Sequence, residues 1–377
     1  MTTDPTPLDS GPITLVVRGA EVRGVSSDID VASDRIAAIA PHDPHRSIPD
    51  GARVLDGRRR AALPGLMNAH THTAMVMMRA WADDMPLMPW LRDRIWPAEA
   101  HLGREDVYCF ARLGCIEMIR TGTTFFNDMY WHWQGTADAA RDSGLRAQLA
   151  GAILDAGGDG DAAAQIAQTE AEADAAAAYG PRVRYALGPH AIYTVSERLL
   201  RRLAEAAEAR DLPIHMHLSE TASEVDDCVR AHGVRPVAYL ERVGILGPRL
   251  LAAHAVHLDD AEIAMLAAAR ATVVHNPVSN LKLASGGPMR YTALRDAGVD
   301  VVVGTDGAAS NNSLDLLVDL KFAALMAKHA TGDPTAMTAE EALGLATANA
   351  ARAFRVDAGE LAPGRLADLI LVDLDHP

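Results

Sequence analysis

From Leu63 onward the chain repeats one unit: a short apolar run, a loop, then an amphipathic helix. Such runs read as strands buried on both faces, and their alternation with helices favours a parallel sheet joined by crossover helices. Eight can be counted, near 62–69, 123–127, 147–154, 182–189, 213–218, 250–254, 271–275 and 300–305. Eight βα units predict a (β/α)8 barrel of the TIM type over 63–354. Residues 13–60 instead alternate apolar and polar positions in short bursts broken by Gly, Pro and Asp, the pattern of small antiparallel strands. The tail GRLADLILVDLD reads as a strand that rejoins that N-terminal sheet. The expected architecture is α/β: the barrel plus a small β-sandwich domain built from 1–62 and a short C-terminal part, 355–377.

Local signals support the helix boundaries. Ser196 is the expected N-cap of ERLLRRLAEAAEAR, and Asp259 with Glu262 forms the expected capping box of the helix that follows. The Ala-rich segment 161–180 is expected to be an ordinary exposed helix, and EEALGLATANAARAF (340–354) another.

Composition narrows the class of function. A formal charge of -15 argues against binding a phosphate backbone, while leaving a small nucleoside open as substrate. Cys109, Cys115 and Cys228 form no CxxC pair and no even framework, which fits a reducing compartment. The N-terminal MTTDPTPLDSGPITLVVRGA lacks a basic stretch followed by an apolar one, and no apolar run approaches ~18 residues. The expectation is a cytoplasmic protein with no membrane partner.

Five polar residues fall at or just past the ends of these strands: His70, His72, His217, His254 and Asp306. Residues i and i+2 of a strand point to one face, so His70 and His72 can hold one ion from a single strand end. His217 and Asp306 would add a third nitrogen and a carboxylate oxygen, a set typical of Zn²⁺ and tolerated by Fe²⁺ or Ni²⁺. Barrel strands bring their C-terminal ends to one face, which lets residues so distant in sequence meet. A position left for water would make the site catalytic, because a divalent ion lowers the pKa of a bound water toward ~7. Glu220, three residues after His217 on the loop leaving its strand, is placed to exchange protons with a substrate beside that water. His254 could polarise the attacked centre, and Asp306 could accept the water's proton.

At these residues the sequence resembles the amidohydrolase superfamily, and within it the 5-methylthioadenosine/S-adenosylhomocysteine deaminases. The stretches PGLMNAHTHTAMVMMRAWADDMPLMPWL, IWPAEA, GPHAIYTVS, HMHLSET, HAVHLDDAE, VVHNPVSNLKLASGG and VGTDGAASNNSLDLL carry the resemblance, across most of 13–375. It implies metal ligands at His70, His72, His217 and Asp306, with Glu220 and His254 as catalytic partners. It also implies substrate contacts: Trp90 against the ligand, Glu99 toward ribose hydroxyls, His190 and Glu220 toward the nucleoside, and Ser310 near the base. The reaction implied is hydrolytic deamination of a 6-aminopurine nucleoside, namely 5-methylthioadenosine, S-adenosylhomocysteine or adenosine; a homo-oligomer is a separate expectation, in which a partner subunit covers a sheet edge of the small domain.

The chain departs from the family in two places. Related enzymes often carry an arginine in a segment like LSRGLID, whereas this chain reads LAGAILD with Gly151 there. A homocysteine carboxylate would then need another cation, or the preferred substrate lacks one. Family members also continue for several tens of residues past ADLILVDLDHP, so the small domain is expected to be short. Competing readings are a related mononuclear enzyme acting on guanine, a pterin, aminofutalosine or a triazine, and a catalytically silent metal-binding scaffold. A dinuclear cyclic amidase would need a lysine at the end of the fourth strand, where LGPHAIY places His190, and the H-x-E and C-x-x-C of zinc cytidine deaminases are missing.

Overall fold

The computed structural model of the protein describes residues 11–155 and 162–375. Residues 1–10, on which the leader argument partly rests, and residue 161 of the Ala-rich segment lie outside it. Two compact units result, one combining the chain up to Leu66 with the chain from Phe354, the other running from Met67 to Ala353.

In the smaller unit, β1 (Ile13–Val22), β2 (Val25–Ala32), β3 (Arg35–Pro41), β4 (Arg53–Asp56), β5 (Arg60–Pro64) and the chain's last strand, β14 (Leu369–Asp373), form one six-stranded sheet. The order is β14-β5-β1-β2-β3, with β4 also on β1. The expected sandwich thus takes the form of a single sheet in which β1 pairs first with β4 and further along with β5. The register of β1 slips between Val17 and Ala20, a bulge that bends the strand. Val17, Ala20, Val22, Ile29, Ile36 and Ala62 make its core, against which Leu369 and Leu371 of β14 pack.

The larger unit is the eight-stranded barrel. Its strands are β6 (Leu66–Thr71), β7 (Thr123–Tyr130), β8 (Arg146–Ile153), β9 (Val183–Pro189), β10 (Ile214–Leu218), β11 (Leu250–His254), β12 (Thr272–His275) and β13 (Asp300–Val303), neighbours in chain order. Nearly every residue of these strands is buried, which explains the unbroken apolar runs. The ends of β13 and β6 are clasped by side chains: Thr305 N donates to Asn68 Oδ1 at 3.0 Å, and Asn68 Nδ2 donates to Thr305 Oγ1 at 2.8 Å. Asp306 N then donates to His70 O at 2.9 Å. Glycine is required at 304, where a Cβ would lie 2.6 Å from His70 N.

Two expectations change. The run read as one strand over 62–69 is two, because Pro64 has no N–H to continue the ladder of β5 and β6 starts afresh at Leu66. The helix expected over 340–354 breaks into Ala339–Leu345 and Ala348–Ala353, since Met67 N takes the carbonyl of Ala346 at 2.8 Å. The caps at Ser196 and at Asp259 with Glu262 form as expected. No helix among the described residues is long and apolar enough to cross a membrane.

Candidate active site

The C-terminal ends of β6, β10 and β11 and the loop after β13 bring the five strand-end residues together. His70 Nε2 and His72 Nε2 lie 3.3 Å and 3.2 Å from Asp306 Oδ1. His217 Nε2 is 3.4 Å from His72 Nε2. The His254 ring centroid is 5.5 Å from that of His70 and 5.4 Å from that of His217, so His254 borders the same cluster.

The second nitrogen of each imidazole is already engaged. His72 Nδ1 donates to Met129 O at 2.6 Å and His217 Nδ1 to His190 O at 2.8 Å, which turns both Nε2 atoms toward the cluster. His70 Nδ1 meets His215 Nε2 at 2.7 Å, and His70 Nε2 is buried with no hydrogen-bond partner. His70 Nε2 and His72 Nε2 converge on one carboxylate oxygen and His217 Nε2 lies beside them, so His70, His72, His217 and Asp306 fit one divalent ion. Asp306 is oriented through its other oxygen, which accepts from Ser279 Oγ at 2.6 Å and Ser310 Oγ at 3.0 Å.

Glu220 and His254 face each other beside this cluster, with Glu220 Oε2 3.7 Å from His254 Nε2. Glu220 is 5% exposed. Burial, helped by the charge of Asp306, pushes its carboxyl up to about 8. Burial pushes His254 down to about 4, keeping it neutral. Asn280 Nδ2 donates to His254 Nδ1 at 2.9 Å, so the ring proton sits on Nε2 and points an N–H toward the cluster.

The cavity above, about 660 Å³ including its open mouth, is lined by every sequence-named residue except His70, which lies beneath the others. Trp90 lies in its wall beside Leu91, Ile95 and Trp96. Glu99 accepts from Trp131 Nε1 at 2.9 Å. His190 is held through Nδ1 by Thr194 Oγ1 at 3.0 Å, while its carbonyl orients His217. Ser310 reaches the cavity, but its hydroxyl is engaged with Asp306.

Sequence reasoning missed the residues that orient the others: His215, Ser279, Asn280 and Glu224, whose carboxylate accepts from the N–H groups of Ser219 and Glu220. His215 could have been found, since His215-x-His217 repeats the spacing of His70-x-His72. Nothing in HNPVSNLK sets Ser279 and Asn280 apart from an ordinary loop.

A parallel barrel whose strand ends present three imidazoles and a carboxylate beneath a cavity defines a hydrolase that activates water with a single divalent ion. The chain belongs to the Amidohydrolase family, whose model matches residues 61–377. It is 48% identical over 325 residues to a 5'-deoxyadenosine deaminase of Methanoregula boonei, covering 86% of this chain and 74% of that one. It is 45% identical over 324 residues to 5-methylthioadenosine/S-adenosylhomocysteine deaminase 1 of Archaeoglobus fulgidus, covering 86% and 76%. Among solved structures, an adenosine deaminase from Xanthomonas campestris with bound zinc superposes with a TM-score of 0.89 at 37% identity, over 97% of this chain and 86% of that one.

Proposed function

We propose that the protein is a zinc-dependent hydrolytic deaminase converting a 6-aminopurine nucleoside into its inosine analogue and ammonia, its substrates drawn from 5'-deoxyadenosine, 5-methylthioadenosine, S-adenosylhomocysteine and adenosine. One observation carries the reading: Glu220, a buried carboxyl pushed up to about 8, and His254, its Nε2 3.7 Å from Glu220 Oε2, face each other beside the donor set. Purine deamination needs that pair, an acid for the ring nitrogen and a donor for the oxygen arriving at the adjacent carbon.

His70, His72, His217 and Asp306 hold the ion, Zn²⁺ in preference to Fe²⁺ or Ni²⁺, and when bound it supplies a Lewis acid and a water acidic enough to lose a proton near neutrality. Glu220 protonates N1 as the water oxygen adds to C6, drawing the C6–N1 π electrons onto N1. Asp306 takes a proton from the water, and the Nε2–H of His254 holds the new oxygen. Asp306 then passes its proton to the amino group, the C6–N bond breaks, and ammonia leaves. The hydroxyl proton left on C6 returns to Glu220 as the carbonyl forms. Glu99 accepts from the ribose hydroxyls, His190 faces the nucleoside, Trp90 walls it in, and Ser310 lies near the base.

The free cysteines and the net charge of -15 support a cytoplasmic enzyme with no nucleic-acid partner. Leu113, Ile116 and Ile119, exposed on one helix, support a homo-oligomer. Ammonia release across an adenine-nucleoside panel, with protein loaded separately with Zn²⁺, Fe²⁺ and Ni²⁺, tests the assignment. Turnover of at least one adenine nucleoside is expected. None with any metal would overturn the reading.

A further inference from the structure

The cavity over the donor set is not the only one at this end of the barrel. Trp96, Glu99, Tyr130, Trp131, Leu154 and Tyr193 line it and also line a second, larger cavity of about 2050 Å³ including its mouth. The second cavity reaches Gly151 on β8 and Glu172 on the helix Ala162–Ala176. Tyr185 Oη donates to Glu172 Oε2 at 2.6 Å and Gln168 Nε2 donates to Oε1 at 3.1 Å, which fixes the carboxylate in place. A side chain at 151 would begin 3.2 Å from Glu172 Oε2, so the glycine keeps that oxygen open to the cavity.

The balance of charge there is one-sided. Among the described residues no lysine or arginine lines either cavity, and the chain contains none from Ala147 to Pro181. Glu99 and Trp131 belong to the wall that the two cavities share, so a ribose held at Glu99 would lie at their junction. We propose, resting on the deaminase reading above, that this second cavity receives the 5' substituent and that Glu172 determines specificity there. It favours a substituent ending in an amine or hydroxyl over one ending in a carboxylate. An amine meets an acceptor already fixed in position, whereas a carboxylate must shed water beside a like charge with no cation to offset it.

S-adenosylhomocysteine and its decarboxylated amine counterpart differ by that one carboxylate, so they form the test pair. For the zinc-loaded enzyme, kcat/KM and the dissociation constant by calorimetry should both favour the amine by at least about tenfold. Glu172→Gln keeps an acceptor for Tyr185, and Gly151→Arg sets a guanidinium against Glu172, its Cβ pressing on the oxygen that Tyr185 bonds. Either should shrink the preference to within about threefold, so one well-folded variant suffices. Equal or better handling of S-adenosylhomocysteine by the wild type, or an unchanged ratio in the variants, would overturn the proposal. Absence of turnover on every nucleoside would defeat the deaminase reading instead, and the ratio of dissociation constants would still decide on Glu172.

Discussion

His254 at φ 73° and Asp306 at φ 62° hold the left-handed backbone conformation that non-glycine residues rarely adopt. Strain of this kind persists only where the surroundings over-determine it, and at both residues the neighbours do so. Asn276 Oδ1 accepts from His254 N at 3.3 Å, and Asp306 N bonds to His70 O at 2.9 Å. Asn280 sets the tautomer of His254, which leads to a sharp expectation. In Asn280→Asp an acceptor replaces the donor, the ring proton moves to Nδ1, and the N–H facing the substrate is lost. The expected result is a fall in kcat of about 10–100-fold, with bound zinc measured by atomic absorption unchanged. Glu220→Gln removes the proton donor to N1 while preserving shape. Steady-state kinetics should show kcat lower by about 10²–10⁴-fold with KM moved far less, and a variant within twofold of wild type would remove Glu220 from the mechanism. At this scale sequence reading reaches residues that end apolar runs, because a polar group there is conspicuous. It does not reach Ser279 or Asn280, whose importance exists only once β11 and the loop after β13 lie beside their helix.

The barrel strands were legible because burial on both faces demands runs such as LPIHMH and VDVVV, and little else in a chain of this composition produces eight of them. Where the reading slipped, a bond between distant segments overrode a local pattern. The Met67 N–H draws away the Ala346 carbonyl and interrupts a helix whose own sequence favours continuity. In the small sheet a distant bond acts electrostatically: Asp28 on β2 is 1% exposed and its Oδ1 accepts from Gly19 N at 2.9 Å and from His42 Nδ1 at 2.7 Å. Burial alone would raise its carboxyl, but the bonds to His42 and Gly19 and the charge of Arg18 outweigh it and hold the group below its ordinary value of 3.8. A depressed carboxyl stabilises the fold above its unfolded pKa and loses that contribution as pH falls through the folded one. Asp28→Asn should therefore destabilise the small unit by about 2 kcal/mol at pH 7, and the gap in thermal midpoint should close toward pH 3. A gap independent of pH would mean that packing, not the ionised carboxylate, holds β2 to β1.

Across the whole molecule, the proposed ligands tie together strands that are neighbours only because the sheet curls round. His70 and His72 come from β6 and its end, Asp306 follows β13 at the other edge of the strand order, and His217 lies on β10 between them. Without an ion, the clasp of Asn68 with Thr305 and the Asp306 N–H bond to His70 O hold that seam. An ion that binds the folded barrel and not the unfolded chain stabilises by mass action, about 2.7 kcal/mol at a hundredfold excess over its dissociation constant. In a domain of this size that corresponds to roughly 4–5 °C in the thermal midpoint. Stripping the metal with a chelator should lower the midpoint by that amount, and readding Zn²⁺ should restore it. His217→Ala removes the donor from β10 while leaving the seam between β6 and β13 intact, so its midpoint without metal should lie near that of the stripped wild type and respond little to Zn²⁺. Because imidazole ligands must be unprotonated to bind, the zinc-dependent gain in the wild type should fade as pH falls below about 6. If zinc raised the midpoint of His217→Ala as far as that of the wild type, the ion would be held by the β6 and β13 groups alone, and β10 would contribute shape rather than a ligand.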